Sequence, residues 1–194
     1  MIKQTKEFIK RSVYENLDNI ITAFWIRIFQ EQIPVDELYA MHADASPMLK
    51  NNRFITKLLS EQEGSNFVDF KVELPDGTKV YLSDYIGNGH YVLVNIWASW
   101  CGACIVELPE IRNAGEKYAS KNLKLLSISI DRDRKNWEKA LKRLGLPWTQ
   151  VLADYSFVNS YGINKIPVLM LISPDGIILK RNFSIEDLNR LFQN

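Results

Sequence analysis

The sequence predicts a mixed α/β fold, a three-layer sandwich around a mixed central sheet, preceded by a small all-helical region. Three observations predict it. Glycine is absent from residues 1–63 and all nine glycines fall from Gly64 onward, so the backbone changes character near Glu63-Gly64-Ser65. Before that point apolar residues recur at helical spacing. After it, short apolar runs of strand length alternate with helix-length stretches, the pattern of sheet and covering helices. A helical region over 1–63 and an α/β domain over 64–194 follow from this division.

In the first region Phe8/Ile9, Val13, Leu17, Ile20/Ile21, Phe24/Trp25 and Ile28/Phe29 recur every three to five residues, as one face of a long helix requires. Pro34 restarts the pattern with a short helix. Ser46-Pro47 supplies an N-cap followed by proline at the first helical position, and Phe54, Ile55, Leu58 and Leu59 give the next helix its apolar face. In the second region Phe67–Leu74, the turn Pro75-Asp76-Gly77 and Thr78–Leu82 read as a β-hairpin. Tyr91–Ile96 is nearly all apolar, suited to a strand buried on both faces. A helix over Gly102–Ala119, a strand over Leu123–Ile130, a helix over Asn136–Leu144 and a strand over Thr149–Leu152 follow. A short helix around Phe157–Tyr161, a strand over Val168–Ile172, the turn Ser173-Pro174-Asp175-Gly176, a strand over Ile177–Lys180 and a helix over Ile185–Phe192 complete the series.

The bulk composition excludes several classes. Twenty-four Lys and Arg against 23 Asp and Glu leave a formal charge of +1, which gives no footing for nucleic acid or an anionic membrane. The apolar run Ile20–Ile28 is interrupted by Arg27 and is too short to span a bilayer. The N-terminus lacks the apolar core and small-residue cleavage site of a signal peptide, which is expected of a cytoplasmic protein or a trimmed mature one. The basic residues Arg132, Arg134, Lys135, Lys139, Lys142 and Arg143 are interspersed with acids and read as a solvated helix face.

The chemistry is concentrated in Trp97-Ala98-Ser99-Trp100-Cys101-Gly102-Ala103-Cys104, which holds both cysteines of the chain at C-x-x-C spacing between a buried strand and a helix. Two cysteines are too few for a disulfide scaffold, so their use is chemical. At a helix start the first sulfur sits among unpaired N–H groups and the positive end of the helix dipole, which favour its thiolate. Zinc needs four ligands, and only His42 and His90 remain, far apart in the chain. Covalent haem needs histidine where Ile105 stands.

From about Gly64 to its end the chain resembles thioredoxin-fold proteins of the TlpA/ResA/DsbE family, making the predicted α/β domain a thioredoxin-like one. The residues that carry the resemblance are the motif at 97–104, Glu107-Leu108-Pro109, the pair Ile166-Pro167 and the turn Pro174-Asp175-Gly176. The resemblance implies a thiol-disulfide oxidoreductase in the periplasm or cell envelope. Cys101 would be the exposed attacking sulfur and Cys104 the shielded resolving one. Glu107, one turn beyond Cys104, would take the Cys104 proton, a role that Asn95 cannot fill where cytosolic thioredoxins carry an aspartate. Pro167 would be cis and face the dithiol, leaving the Ile166 backbone free to pair with a substrate strand. Trp100, Gly102 and Ala103 complete the expected substrate contacts, while Trp97 is read as core. No cofactor is expected beyond the Cys101–Cys104 couple. The expected partners are protein thiols and disulfides and an upstream electron donor such as a membrane thiol carrier.

Ala103 departs from the proline that many family members place between the cysteines, restoring a backbone N–H near the sulfur. Because ~30 mV is worth about 1.4 kcal/mol in a two-electron couple, this change leaves the direction of electron flow open. Two other readings stand beside the oxidoreductase. One is an interaction module whose disulfide only braces a loop. The other is a thiol peroxidase, since the peroxiredoxin fold is related, although Ala98 stands where peroxiredoxins usually carry threonine.

Overall fold

The computed structural model describes residues 11–13, 15–29, 40, 41, 43–50, 52, 55 and 63–193. The chain divides into two compact units, 1–62 and 63–194. In the first unit, helix α1 spans Ile20–Phe29 and the short helix α2 spans Pro47–Lys50. The single long helix expected through Val13 to Phe29 is interrupted. Residues 15–18 form turns, and the Thr22 hydroxyl donates to the Asn16 carbonyl, occupying a group that a continuous helix would use. Ser46 does cap α2, its Oγ accepting from the Leu49 N–H at 3.4 Å. Val13, Ala23, Ile26, Met41, Ala45, Leu49 and Ile55 form this unit's core. Most of the helix expected after Pro34, most of the one over Phe54–Leu59, and His42 lie outside the described residues, although residues 40, 41, 43 and 44 are helical.

The second unit is a seven-stranded mixed sheet of order β2-β1-β5-β4-β3-β6-β7. Its strands are β1 (Lys71–Glu73), β2 (Lys79–Tyr81), β3 (Tyr91–Trp97), β4 (Leu123–Ser129), β5 (Thr149–Leu152), β6 (Val168–Ile172) and β7 (Ile178–Arg181). β3, β4 and β5 run parallel, and the remaining pairings are antiparallel. The helices are α3 (Gly102–Lys117), α4 (Arg134–Leu144), α5 (Tyr155–Ser160) and α6 (Ile185–Gln193).

Alternation along β3 explains the layering. Leu93 joins Leu108 and Ile111 of α3 and Leu188 and Phe192 of α6, while Trp97 packs with Trp137 and Ala140 of α4. Val92, Val94 and Ile96 point the other way, into a core closed by Phe157, Tyr161, Leu82 and Ile86. This is the predicted sandwich.

The hairpin strands are only three residues each, shorter than the apolar pattern suggests. The backbone before β1 is bonded elsewhere: Phe67 N–H to the Gly176 carbonyl, and Val68 N–H and C=O to the buried Tyr161 hydroxyl at 2.9 and 2.6 Å. At the other end Leu82 opens a 3-10 turn over Leu82–Asp84 in place of continued strand.

Candidate active site

The parallel strand β3 ends at Trp97, where Ala98–Cys101 form a tight turn closed by the Cys101 N–H on the Ala98 carbonyl at 3.0 Å. The turn delivers Cys101 as the N-cap of α3 in an extended conformation, its Sγ accepting from the Cys104 N–H at 3.2 Å. Sixteen residues of helix follow, with no acid in the first turn to offset the positive end of the dipole. Cys101 and Cys104 are joined in a disulfide. The helix N-terminus thus holds a redox couple at the carboxyl edge of the central strand, with the Cys104 N–H aimed at the first sulfur.

Exposure around the couple is uneven. Cys104 is fully buried, as the resemblance implied, but Cys101 is only 7% exposed. The expectation of an exposed first sulfur is therefore corrected for the disulfide form, in which both sulfurs pack with Trp97, Ala98 and Trp137. The surface beside them is supplied by Trp100, 69% exposed, and by exposed Gly102 and Ala103. Ile166, half-buried, packs against the same cluster, and the Ile166–Pro167 peptide bond is cis. Trp97 is fully buried, in keeping with its reading as core.

Glu107 lies half-buried one turn beyond Cys104, its Oε2 enclosed without a donor among the described residues. Burial raises its carboxyl above the ordinary value, and the charge of Glu110 adds to the effect. A carboxyl group of raised basicity one turn from Cys104 is a better proton acceptor than an ordinary one. Asn95 is buried on β3 and donates to Ser127 Oγ at 3.4 Å, offering an amide rather than a carboxylate.

Sequence reasoning passed over Asp131. This residue follows β4 and is 6% exposed. Its carboxylate accepts from Ser99 N–H at 2.8 Å, Ser99 Oγ at 2.7 Å and Ser129 Oγ at 2.7 Å, and its own N–H donates to Ser129 Oγ at 3.0 Å. The available signal was position: an acid just past the carboxyl end of a buried parallel strand, where α/β folds gather their functional groups.

A family model for the AhpC/TSA family matches residues 64–181, most of the sandwich and the whole of this site. The chain belongs to the AhpC/TSA family. Among similar members, the thiol-disulfide oxidoreductase ResA of Geobacillus thermodenitrificans is 30% identical over 128 residues, covering 66% of this chain and 72% of that protein. ResA of Bacillus subtilis is 28% identical over 122 residues, covering 62% and 67%. A solved thioredoxin domain of a thiol-disulfide oxidoreductase from Bacteroides vulgatus superposes with a TM-score of 0.62 at 27% identity, over 68% of this chain and 96% of that one. A thiol-disulfide oxidoreductase from Bacteroides fragilis gives 0.59 at 31% identity, over 66% and 98%. With the Cys101–Cys104 pair in place, this AhpC/TSA chain is a thiol-disulfide oxidoreductase with a thioredoxin-like fold.

Proposed function

We propose that the dithiol reduces or exchanges disulfides in protein substrates, with Cys101 attacking and Cys104 resolving. The observation that carries this division is the asymmetry at the head of α3: Cys101 is the N-cap and receives the Cys104 N–H, while Cys104 is sealed beneath it. The Cys101 thiolate bonds to one substrate sulfur as the substrate S–S bond breaks and its second sulfur leaves as thiolate. Glu107 takes the Cys104 proton, and Cys104 then attacks the Cys101 sulfur, breaking its bond to the first substrate sulfur, which leaves as thiolate, and closing the Cys101–Cys104 disulfide. Two electrons pass to the substrate, and an upstream dithiol returns them.

Trp100, Gly102 and Ala103 form the face a substrate cystine would meet, and the Ile166-Pro167 segment supplies a backbone edge beside it. No cofactor other than the disulfide enters this scheme. The resemblance to envelope oxidoreductases supports a periplasmic or envelope site of action and a membrane thiol carrier as donor.

The test is insulin reduction with dithiothreitol as donor. Cys101→Ser is expected to abolish it, and Cys104→Ser to accumulate a mixed disulfide through Cys101. Full activity in both variants refutes the scheme. Titration in glutathione redox buffers separates a reductant from an inert brace, since a midpoint below about −300 mV with an unreactive Cys101 marks a structural disulfide.

A further inference from the structure

We propose that Asp131 is a positioning residue for the exchange reaction, holding the Ala98–Cys101 turn in the conformation from which Cys101 attacks. This inference rests on the dithiol mechanism above and adds to it a group that the mechanism does not use. Asp131 is a buried carboxylate two residues past the end of β4, 32 residues from Ser99, and it accepts three hydrogen bonds.

Two of those bonds end on Ser99, the second residue of the turn closed by Cys101 N–H on the Ala98 carbonyl. Gripping both the backbone N–H and the hydroxyl of one residue fixes its position and its rotation, which a single bond does not. The next residues along are the exposed Trp100 and the attacking Cys101. The third bond, from Ser129 Oγ, and the reciprocal Asp131 N–H to Ser129 Oγ tie the carboxylate to the end of β4. Ser129 in turn pairs with Trp97 in the parallel register of β3 and β4. The turn is thus braced against two central strands through one side chain.

The geometry points to a role in directing attack. Exchange requires the nucleophilic sulfur to approach along the axis of the substrate disulfide, and misplacement by an ångström is costly. Asp131 and Trp100 also line one cleft of about 450 Å³, so the braced turn and the substrate-facing ring border the same surface. Ser99 and Asp131 need no direct contact with substrate for this.

The test compares Asp131→Ala, which removes every acceptor, with Asp131→Asn, which keeps an oxygen facing the Ser99 N–H. Two rates are read on the reduced full-length variants: attack on an insulin disulfide, which demands geometry, and alkylation of Cys101 by iodoacetamide, which demands only an accessible thiolate. Asp131→Ala is expected to slow attack on insulin at least tenfold, about 1.4 kcal/mol of barrier, while alkylation changes less than threefold. Asp131→Asn is expected to recover attack to within about threefold of the parent.

Equal loss in both rates, wild-type insulin reduction by folded Asp131→Ala, or no rescue by Asp131→Asn overturns the inference. If Asp131→Ala does not fold, Ser99→Ala, which deletes one of the two grips, decides it. A selective loss of insulin attack supports positioning, and an unchanged ratio of the two rates refutes it. If the unmodified protein itself fails to reduce insulin, the dithiol reading fails instead, so the two failures are distinct.

Discussion

Replacing Glu107 with glutamine tests both the proton path and the cost of maintaining it. In the folded protein Oε2 is enclosed without a donor, and burial, with Glu110 adding to it, disfavours the ionised form. An enclosed polar atom without a partner costs about 1–3 kcal/mol, and more when it is charged, so only the excess due to the charge is relieved by an amide. The side chain is only partly buried, which argues for the lower end. Glu107→Gln should therefore raise the unfolding free energy by about 1 kcal/mol at pH 7.5, because it removes a charge that the fold disfavours.

The sign with pH follows from the raised carboxyl. Below the ordinary value of 4.5 the group is protonated in both folded and unfolded chains, so the two proteins should be equally stable in this respect. As pH rises beyond that value the unfolded chain ionises first, and the native advantage of the variant should grow until the folded group has ionised too. Denaturant unfolding of oxidised protein between pH 4 and pH 8 reads this difference. Rapid mixing of reduced protein with a peptide disulfide reads the chemistry: formation of the mixed disulfide should be little changed, and its resolution by Cys104 slowed about 100-fold, the lower range for loss of a general base. A variant that is less stable at pH 7.5, or that resolves at the parent rate, refutes the reasoning.

Two further substitutions probe what holds the frame. Tyr161→Phe deletes both hydrogen bonds to the Val68 backbone in a buried setting and should cost about 2 kcal/mol in denaturant unfolding, with insulin reduction unchanged where the protein is folded. Gly115→Ala places a Cβ 2.5 Å from Leu125 Cδ1 and 2.8 Å from its Cγ, so overpacking of about 1–3 kcal/mol outweighs the gain of up to about 1 kcal/mol in helix propensity. A lowered thermal midpoint is the expected outcome, and a raised one would show that Leu125 moves aside at little cost.

Much of the fold is legible in the chain because local pattern and final environment agree. The strands Thr149–Leu152 and Val168–Ile172 occupy the residues that their apolar runs delimit. Helix α4 begins two residues earlier than its apolar pattern because Asp133 caps it, accepting from Lys135 N–H at 2.9 Å. Agreement fails where a distant partner claims the backbone. Phe67–Phe70 are apolar enough to extend the strand, yet Tyr161, 93 residues from Val68, takes the bonds that a longer hairpin would have used. The uneven N-terminal pattern likewise concealed the break before α1, since apolar spacing reports a helical face but not the hydroxyl of Thr22 that ends a preceding turn.

The redox chemistry and the class of fold are legible in the chain alone: two cysteines at C-x-x-C spacing between a buried strand and a helix, with Glu107 one turn on, in a series of strands and helices. These are short-range facts, governed by helical and strand periodicity. How enclosed Cys101 is, that Glu107 Oε2 meets no donor among the described residues, and that Asp131 holds Ser99 emerge only once the chain is folded. The physical reason is register. Trp97 stands beside Ser129 because β3 and β4 align in parallel across a helical crossover, which brings an acid 32 residues away onto the turn that presents the first sulfur.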